Sequence, residues 1–182
     1  MKIKRSGIRS FTLVEILVVV SIIGLLAGLS IPAVGGALAS ARKAKVAAMA
    51  HQVRTAIVQF NTEYGFYPTN GMNAAGIGNT ATNLALILTG QNTNDNPRRI
   101  AFLEVPNDFT FNNAGNLSNR GLVTPRGFYK SGQSNLSVSV DSDYNGEITV
   151  TNDGVSTILR GASVAVWFVD PKATNKTVGT WK

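Results

Sequence analysis

Residues 10–24 read SFTLVEILVVVSIIG, and this stretch decides the fold because it opens a long apolar run near the amino terminus. From position 16 to position 41 the chain carries no charged residue. As an α-helix these residues would extend about 39 Å, whereas the hydrocarbon core of a bilayer is about 30 Å thick. The sequence therefore predicts a helix that can cross a membrane, with the carboxylate of Glu15 near its start.

The composition excludes several kinds of site before any motif is considered. The 182 residues include no Cys and a single His, His51, which excludes disulfides, thiolate metal sites, Cys nucleophiles and His-pair metal sites. The formal charge is +7, but four of the 17 basic residues lie in the first ten positions. The remaining 13 exceed the 10 acidic residues by only three, which does not predict a nucleic-acid partner.

Two ordinary interpretations of the apolar run leave Glu15 unexplained. A secretory signal peptide would fit the basic start and the cleavage pattern Ala37-Leu38-Ala39, but its apolar region is typically about 7–15 residues long. A plain single-span anchor would fit the length of the run. Basic residues flank the run on both sides, so the charge rule does not settle the orientation of such an anchor. Neither interpretation gives the carboxylate a role.

The basic leader, residues 1–10, and the residues that follow it resemble the class III signal of type IV pilin-like proteins. Glu15 occupies the fifth position after the expected cut, and Pro32 the twenty-second. The resemblance implies that a prepilin peptidase cuts between Ser10 and Phe11 and that the new amino group of Phe11 is methylated. The family prefers Gly where this chain has Ser10, which is also small. The resemblance further implies assembly into a filament through Phe11, Glu15 and Pro32.

The Glu15 carboxylate has a physical reason to find a partner. An ionised group in hydrocarbon is costly unless an opposite charge meets it. The amino group released at Phe11 would be such a charge, either in the same chain or in a staggered neighbour, where the pair would set an axial register. The alternative is a Glu15 side chain that reaches the membrane surface on its own.

The helical pattern continues beyond the apolar run. Apolar residues recur at three- and four-residue spacing at Val46, Met49, Ala50, Val53, Ile57, Phe60 and Tyr64. This pattern predicts one helix over about residues 11–63, with 11–35 in the membrane or filament core and the back half packed on a sheet. Gly65 and Pro68 would end the helix. The run Tyr64-Gly65-Phe66-Tyr67-Pro68-Thr69 resembles the pseudopilins of type II secretion, especially the major, G-type one.

The rest of the chain predicts a polar connection followed by a sheet. Residues 64–125 are rich in Gly and Asn, and one short apolar pattern at 83–88 predicts a brief helix. Residues 126–182 predict a small antiparallel sheet, in which Asn145-Gly146 is a hairpin turn between the first two strands. The strand patterns lie at 136–141, 147–151 and, as a buried strand, 164–169. The predicted fold class is α+β: a long amino-terminal helix packed by its back half on this sheet, as in pilins and pseudopilins.

The residues after the first of these strands match half of a calcium loop. Asp141, Asp143 and Asn145 stand at alternate positions before Gly146, as in the D-x-D-x-N-G pattern whose oxygens converge on one cation. Loop position twelve is Asn152 rather than Glu, and strands flank the loop, so an EF-hand is not predicted. The resemblance to major pseudopilins implies calcium held by Asp141, Asp143 and Asn145. The alternative is a polar turn with two solvated carboxylates.

These features predict a structural role rather than catalysis. The sequence shows no nucleophile elbow, P-loop or metal-ligand cluster, so we expect no enzymatic activity. The resemblance implies a subunit of a type II secretion pseudopilus that polymerises from the membrane. A type IV pilus pilin or minor pilin, for adhesion, motility or DNA uptake, is the alternative, although many such pilins carry a disulfide and this chain has no Cys. A membrane-anchored protein that binds sugar or DNA through residues 69–125 is a third interpretation.

The expected partners and location follow from the same resemblance. The partners would be further copies in a helical filament, other pseudopilins, the prepilin peptidase, an inner-membrane platform protein and an assembly ATPase. Lipid would surround the helix before assembly, and no nucleic acid is expected. The chain would cross the inner membrane once, with its carboxyl-terminal part in the periplasm, and would then enter a periplasmic or surface filament. Calcium is the one expected cofactor.

Overall fold

The fold is that of a computed structural model of the whole chain. It describes residues 11–68, 77–78, 84–107, 109–111, 122–124, 136–152, 155–170 and 173–181. The chain divides into two compact units, Met1–Ala41 and Arg42–Lys182. The predicted leader, which includes Ser10, lies outside the described residues. So does Thr69, the last residue of the run that begins at Tyr64.

One helix, α1, spans Leu13–Tyr64 and is 52 residues long, which confirms the predicted long helix. It ends at Gly65, where a φ of 77° gives the left-handed conformation that glycine adopts without strain. The N–H of Gly65 donates to the carbonyl of Asn61 at 2.8 Å and closes the last turn. Pro32 lies within α1, and its side chain is outside the described set.

In the first unit, every described side chain of residues 11–41 is exposed. Among the described residues, α1 is the one helix that is long and apolar enough to cross a membrane. Its most apolar window of 18 residues has a mean hydropathy of 2.5, and none of that window is buried. The structure therefore confirms the length and the apolar character predicted for this segment.

The second unit adds a short helix and eight strands among the described residues. They are β1 Ile77–Gly78, α2 Leu84–Leu88, β2 Thr110–Phe111, β3 Leu122–Val123, β4 Leu136–Val140, β5 Glu147–Asn152, β6 Val155–Arg160, β7 Val164–Asp170 and β8 Ala173–Gly179. The main antiparallel sheet has the strand order β1-β4-β7-β8. β2 with β3, and β5 with β6, form two further antiparallel pairs. The α+β prediction is confirmed, as are the brief helix and the buried strand.

The main core lies between the back half of α1 and the main sheet. Six of the apolar residues predicted at helical spacing form a buried stripe on α1, and each is at most 1% exposed: Val46, Met49, Ala50, Val53, Ile57 and Phe60. They share one cluster with Val166 and Phe168 of β7. Full burial stabilises a large apolar side chain by about 1.5–3 kcal/mol, so this stripe holds the second unit together. Arg54 adds a polar contact, because its Nε donates to the carbonyl of Val164 at 3.2 Å.

β7 is covered on both faces. Val166 and Phe168 point to the cluster with α1, whereas Trp167 points the other way, to Ile148 and Val150 of β5. The β5–β6 pair therefore covers the face of the main sheet that is turned away from α1. For the same reason all five residues of β4 are buried, although alternating Val and Ser are typical of a strand with one solvated face.

The prediction that Asn145-Gly146 is a hairpin turn between two paired strands is wrong. β4 pairs with β7 and β5 pairs with β6, so the chain leaves the main sheet at this turn instead of folding back within it. The physical reason is that Ile148 and Val150 bury their side chains on the far face of the sheet, which an edge-to-edge partner of β4 could not do. The hairpin joins Asn152 to Val155, and Asp153-Gly154, between them in the sequence, is an equally good turn signal.

Candidate processing and assembly site

Thr12 and Glu15 cap the start of α1 reciprocally. The N–H and the Oγ1 hydroxyl of Thr12 each donate to Oε2 of Glu15 at 2.8 Å. In return the N–H of Glu15 donates to Oγ1 of Thr12 at 3.2 Å. This is a capping box, in which the first and fourth residues of a helix start satisfy each other's donors. Sequence reasoning missed Thr12, although the pattern Thr-x-x-Glu before an apolar run signals such a cap.

The cap places two of the three predicted assembly residues, Phe11 and Glu15, at the start of the helix, whereas Pro32 lies within it. Phe11 immediately precedes the cap and is 77% exposed. The Glu15 carboxylate accepts its two bonds at Oε2, and within the described residues Oε1 accepts none. The carboxylate is therefore oriented by its own chain and keeps an oxygen for a further donor. Ser10, the other residue of the predicted cut, is outside the described residues.

The apolar surface behind this cap has no cover within the described residues. Fifteen large hydrophobic side chains between positions 11 and 38 are at least 49% exposed. An apolar surface of this extent on all sides of a helix is typical of a segment that is covered by lipid or by other apolar helices. Assembly through this helix requires such a surface.

Two pairs of glycines interrupt this apolar surface. Gly24 and Gly28 lie four positions apart, and a Cβ added at either would meet nothing within 4 Å. The same holds for Gly35 and Gly36. Paired small residues let two helix backbones approach closely in a membrane. The described part of this chain does not occupy that space.

The residues predicted to bind calcium form a loop closed by its own hydrogen bonds. Asp141 is 6% exposed, and its carboxylate accepts from the N–H of Asn145 at 3.0 Å and of Gly146 at 2.9 Å. Oδ2 of Asp143 accepts from Nδ2 of Asn145 at 2.8 Å. Oδ1 of Asn145 accepts from the N–H of Glu147 at 2.7 Å. The three residues thus lie together in one hydrogen-bonded turn rather than in a hairpin, and calcium binding by them stays a prediction.

The fit of this loop to calcium is good in ligand type and poor in arrangement. Carboxylate and amide oxygens are the ligands that calcium takes, in sets of about six to eight. Here both oxygens of Asp141 face N–H groups, and the Asn145 amide is used on both ends. No group of three or more His, Cys, Asp or Glu in the described residues has a metal-holding arrangement. A bound cation would have to replace these internal donors.

Tyr144 ties the same loop to the end of α1. Its ring stacks on Tyr67 at a centroid distance of 5.7 Å, and Nδ2 of Asn61 donates to its Oη at 3.2 Å. Its backbone adopts a φ of 55°, which a residue other than glycine rarely takes. The turn is therefore held in one position by the helix end as well as by Asp141.

An open groove of about 690 Å³ lies between α1 and residues 102–107. His51, Gln52 and Gln59 line its helix side, and Glu104 lies on the other. His51 and Glu104 are both exposed. Sequence reasoning did not single out this groove, because its two walls are far apart in the chain.

Comparison with known proteins bears on the amino-terminal site. Residues 5–31 match a family model described as the prokaryotic N-terminal methylation motif. The chain is also similar to the type IV major pilin protein PilE1 of Neisseria gonorrhoeae, with 29% identity over 76 residues. That region is 42% of this chain and 35% of the relative, so the match spans about a third of that protein. No solved structure matches the chain at a significant level.

The motif and the fold agree with each other. The chain carries a type IV pilin-like methylation motif, and its long helix with a small antiparallel sheet is a pilin-like α+β arrangement. The resemblance to type IV pilin-like signals is therefore confirmed at the level of the motif, over residues 5–31. The narrower likeness to the G-type pseudopilin is a matter for proposal.

Proposed function

We propose that this protein is a filament subunit of the pseudopilin kind, cut between Ser10 and Phe11 and methylated at Phe11. It is stored in the inner membrane through the first part of α1 and polymerises through the same helix. The observation that carries the proposal is a helix with an exposed apolar surface on every side, which begins two residues after the expected cut. No catalytic step is assigned to this chain.

On assembly, the helices of neighbouring copies replace the lipid that surrounds the first part of α1. Lipid tails are as apolar as the helix itself, so the hydrophobic effect contributes little to this exchange, and packing and polar contacts decide it. The empty space around Gly24 and Gly28 permits close packing. The carboxylate of Glu15, already oriented by Thr12, then meets the amino group of Phe11 in an adjacent copy. Pairing of the two opposite charges lowers the free-energy cost of burying them, and it fixes the axial offset between adjacent copies.

The proposed partners are those that such a subunit requires. A prepilin peptidase removes the leader, a platform protein and an ATPase drive extraction from the membrane, and further copies with other pseudopilins form the filament. The second unit lies in the periplasm. The loop at Asp141, Asp143 and Asn145 takes up calcium in exchange for its internal hydrogen bonds.

The deciding experiment is the intact mass and amino-terminal sequence of the protein from its native membranes. A chain that begins at Phe11 with one added methyl group supports the proposal. A chain that begins at Ser40, after Ala37-Leu38-Ala39, would identify an exported protein and overturn the filament role. An uncut chain would identify a simple anchor.

A second experiment is needed to decide between a type II secretion pseudopilus and a type IV pilus. The run from Tyr64 to Pro68 and the absence of Cys favour a secretion pseudopilus. Similarity to a type IV major pilin favours a type IV pilus as the second candidate. Deletion of the coding sequence in its own host distinguishes them. Loss of exported enzymes from the medium with normal surface pili supports the pseudopilus, and loss of pili with normal export supports the pilus.

A further inference from the structure

A cluster of cations follows the apolar run directly. Arg42, Lys43 and Lys45 come after 26 residues without a charge, and all three side chains are exposed. Between Glu15 and Glu63 the sequence contains no acidic residue. All four charges of α1 between those two carboxylates are therefore positive, and three of them lie within residues 42–45.

The three cations form a collar around the helix. Consecutive residues of an α-helix are about 100° apart in projection and rise about 1.5 Å each. Lys43 and Lys45 therefore project on opposite sides of Arg42, and the three Cα atoms lie within about 5 Å along the axis. Val46, which begins the buried stripe, comes directly after the collar.

The length of the apolar run places this collar at the membrane surface. From Glu15 to Arg42 a helix rises about 40 Å, and a bilayer with its headgroup regions is about 40–45 Å thick. With Glu15 at one headgroup layer, the collar lies in the other. Flexible Lys and Arg side chains reach over several ångströms to such a layer.

We propose that Arg42, Lys43 and Lys45 bind the anionic headgroups of phospholipids while the subunit is stored in the membrane. This inference rests on the proposed membrane storage. Basic residues beside a membrane are attracted to anionic lipid, by about fivefold in affinity per cation at low salt. The collar thus gives the stored subunit a preference for anionic lipid and a fixed depth in the bilayer.

The test uses the full chain in phosphatidylcholine vesicles that contain a trace of spin-labelled lipid. Electron paramagnetic resonance gives the fraction of label immobilised at the protein, first with a phosphatidylglycerol label and then with a phosphatidylcholine label. We expect a larger immobilised fraction for phosphatidylglycerol, and equal fractions in 1 M salt, where the screening length falls to about 3 Å.

A triple variant and a matched control complete the test. Arg42→Gln with Lys43→Gln and Lys45→Gln is expected to reduce the excess of immobilised phosphatidylglycerol at low salt, and the basic leader accounts for any excess that is left. Arg98→Gln with Arg99→Gln and Arg160→Gln removes three exposed cations far along the chain and is expected to keep the preference. Equal fractions for the unchanged protein at low salt would overturn the lipid inference and leave membrane storage intact. No immobilised lipid of either kind would instead show that α1 does not insert, and the proposed function would fail.

Discussion

The hydroxyl of Thr12 both donates to the Glu15 carboxylate, at 2.8 Å, and accepts from the Glu15 N–H, at 3.2 Å. The residue that the proposed function assigns to assembly is thus also the residue that completes the first turn of α1. Assembly and helix capping share one carboxylate, so they can be separated only by substitutions that touch one role at a time.

Thr12→Val removes the hydroxyl and keeps the shape of the side chain. We expect the first turn to lose about 1 kcal/mol, the usual cost of deleting a helix cap. The measurement is amide exchange at the Glu15 N–H in micelles, which should become about fivefold faster. Thr12→Ser keeps the hydroxyl and should retain slow exchange, and equal exchange in all three proteins would show that the cap does not form.

Glu15→Val removes the carboxylate and leaves an apolar surface. We expect the variant to insert in the membrane as before, because the apolar run is lengthened, but to form no filaments, because the Phe11 amino group has no partner in the adjacent copy. Membrane fractionation measures insertion, and electron microscopy of cells that overproduce the subunit measures assembly. Filaments of normal number and length from this variant would exclude the charge pair.

Asp141→Asn weakens the turn after β4. The buried carboxylate accepts two N–H bonds, and bonds to a charged group contribute about 1.5–3 kcal/mol each. We expect the free energy of unfolding to fall by about 1–3 kcal/mol, as measured by chemical denaturation in detergent. Asp143→Asn is the control, because that side chain is exposed and should change stability by less than about 0.5 kcal/mol.

Calcium binding at this turn is tested by calorimetric titration of the full chain in detergent. We expect heat of binding and a higher melting temperature with millimolar calcium, and loss of both in Asp143→Asn, which leaves the Asp141 bonds intact. Magnesium serves as the control ion, because it demands a rigid octahedral site. If calcium produces neither heat nor a melting shift, the residues form a polar turn only.

Ser139→Ala removes a buried hydroxyl that has no hydrogen-bond partner among the described residues. We expect the free energy of unfolding to rise by about 1 kcal/mol, because an unsatisfied buried group costs its desolvation. Ser137→Ala on the same face of β4 is the comparison. Nε1 of Trp167, on the adjacent strand β7, is likewise buried without a partner in the part of the chain that the structure describes. A fall in stability for Ser139→Ala would contradict this expectation.

Local patterns predicted the helix well and the strand partners poorly. The spacing of Val46, Met49 and Val53 predicts a buried stripe from the helical period alone, and those residues are buried. Strand pairing depends on residues far apart in the chain, so a turn signal such as Asn145-Gly146 indicates a turn without indicating which strands it joins. The same limit applies to β6 and β8, which were not predicted.

At the candidate site the sequence was informative where the motif is contiguous. Phe11 and Glu15 were singled out by the resemblance to pilin-like signals, and their roles stay predictions, whereas the capping pattern would have pointed to Thr12. The Asp141 loop shows the opposite case. Its residue types pointed to a cation, whereas its three-dimensional arrangement shows N–H groups at both oxygens, which only the backbone conformation reveals.

The bond between Arg54 and Val164 joins residues that are 110 positions apart. At about 5–20 residues per second, a ribosome completes the cover of the helix stripe roughly 5–20 s after making the stripe itself. During that interval Val53 and its apolar neighbours have no sheet to cover them. A chain emerging from synthesis thus carries two uncovered apolar surfaces in sequence, and the second stays uncovered until β7 has been made.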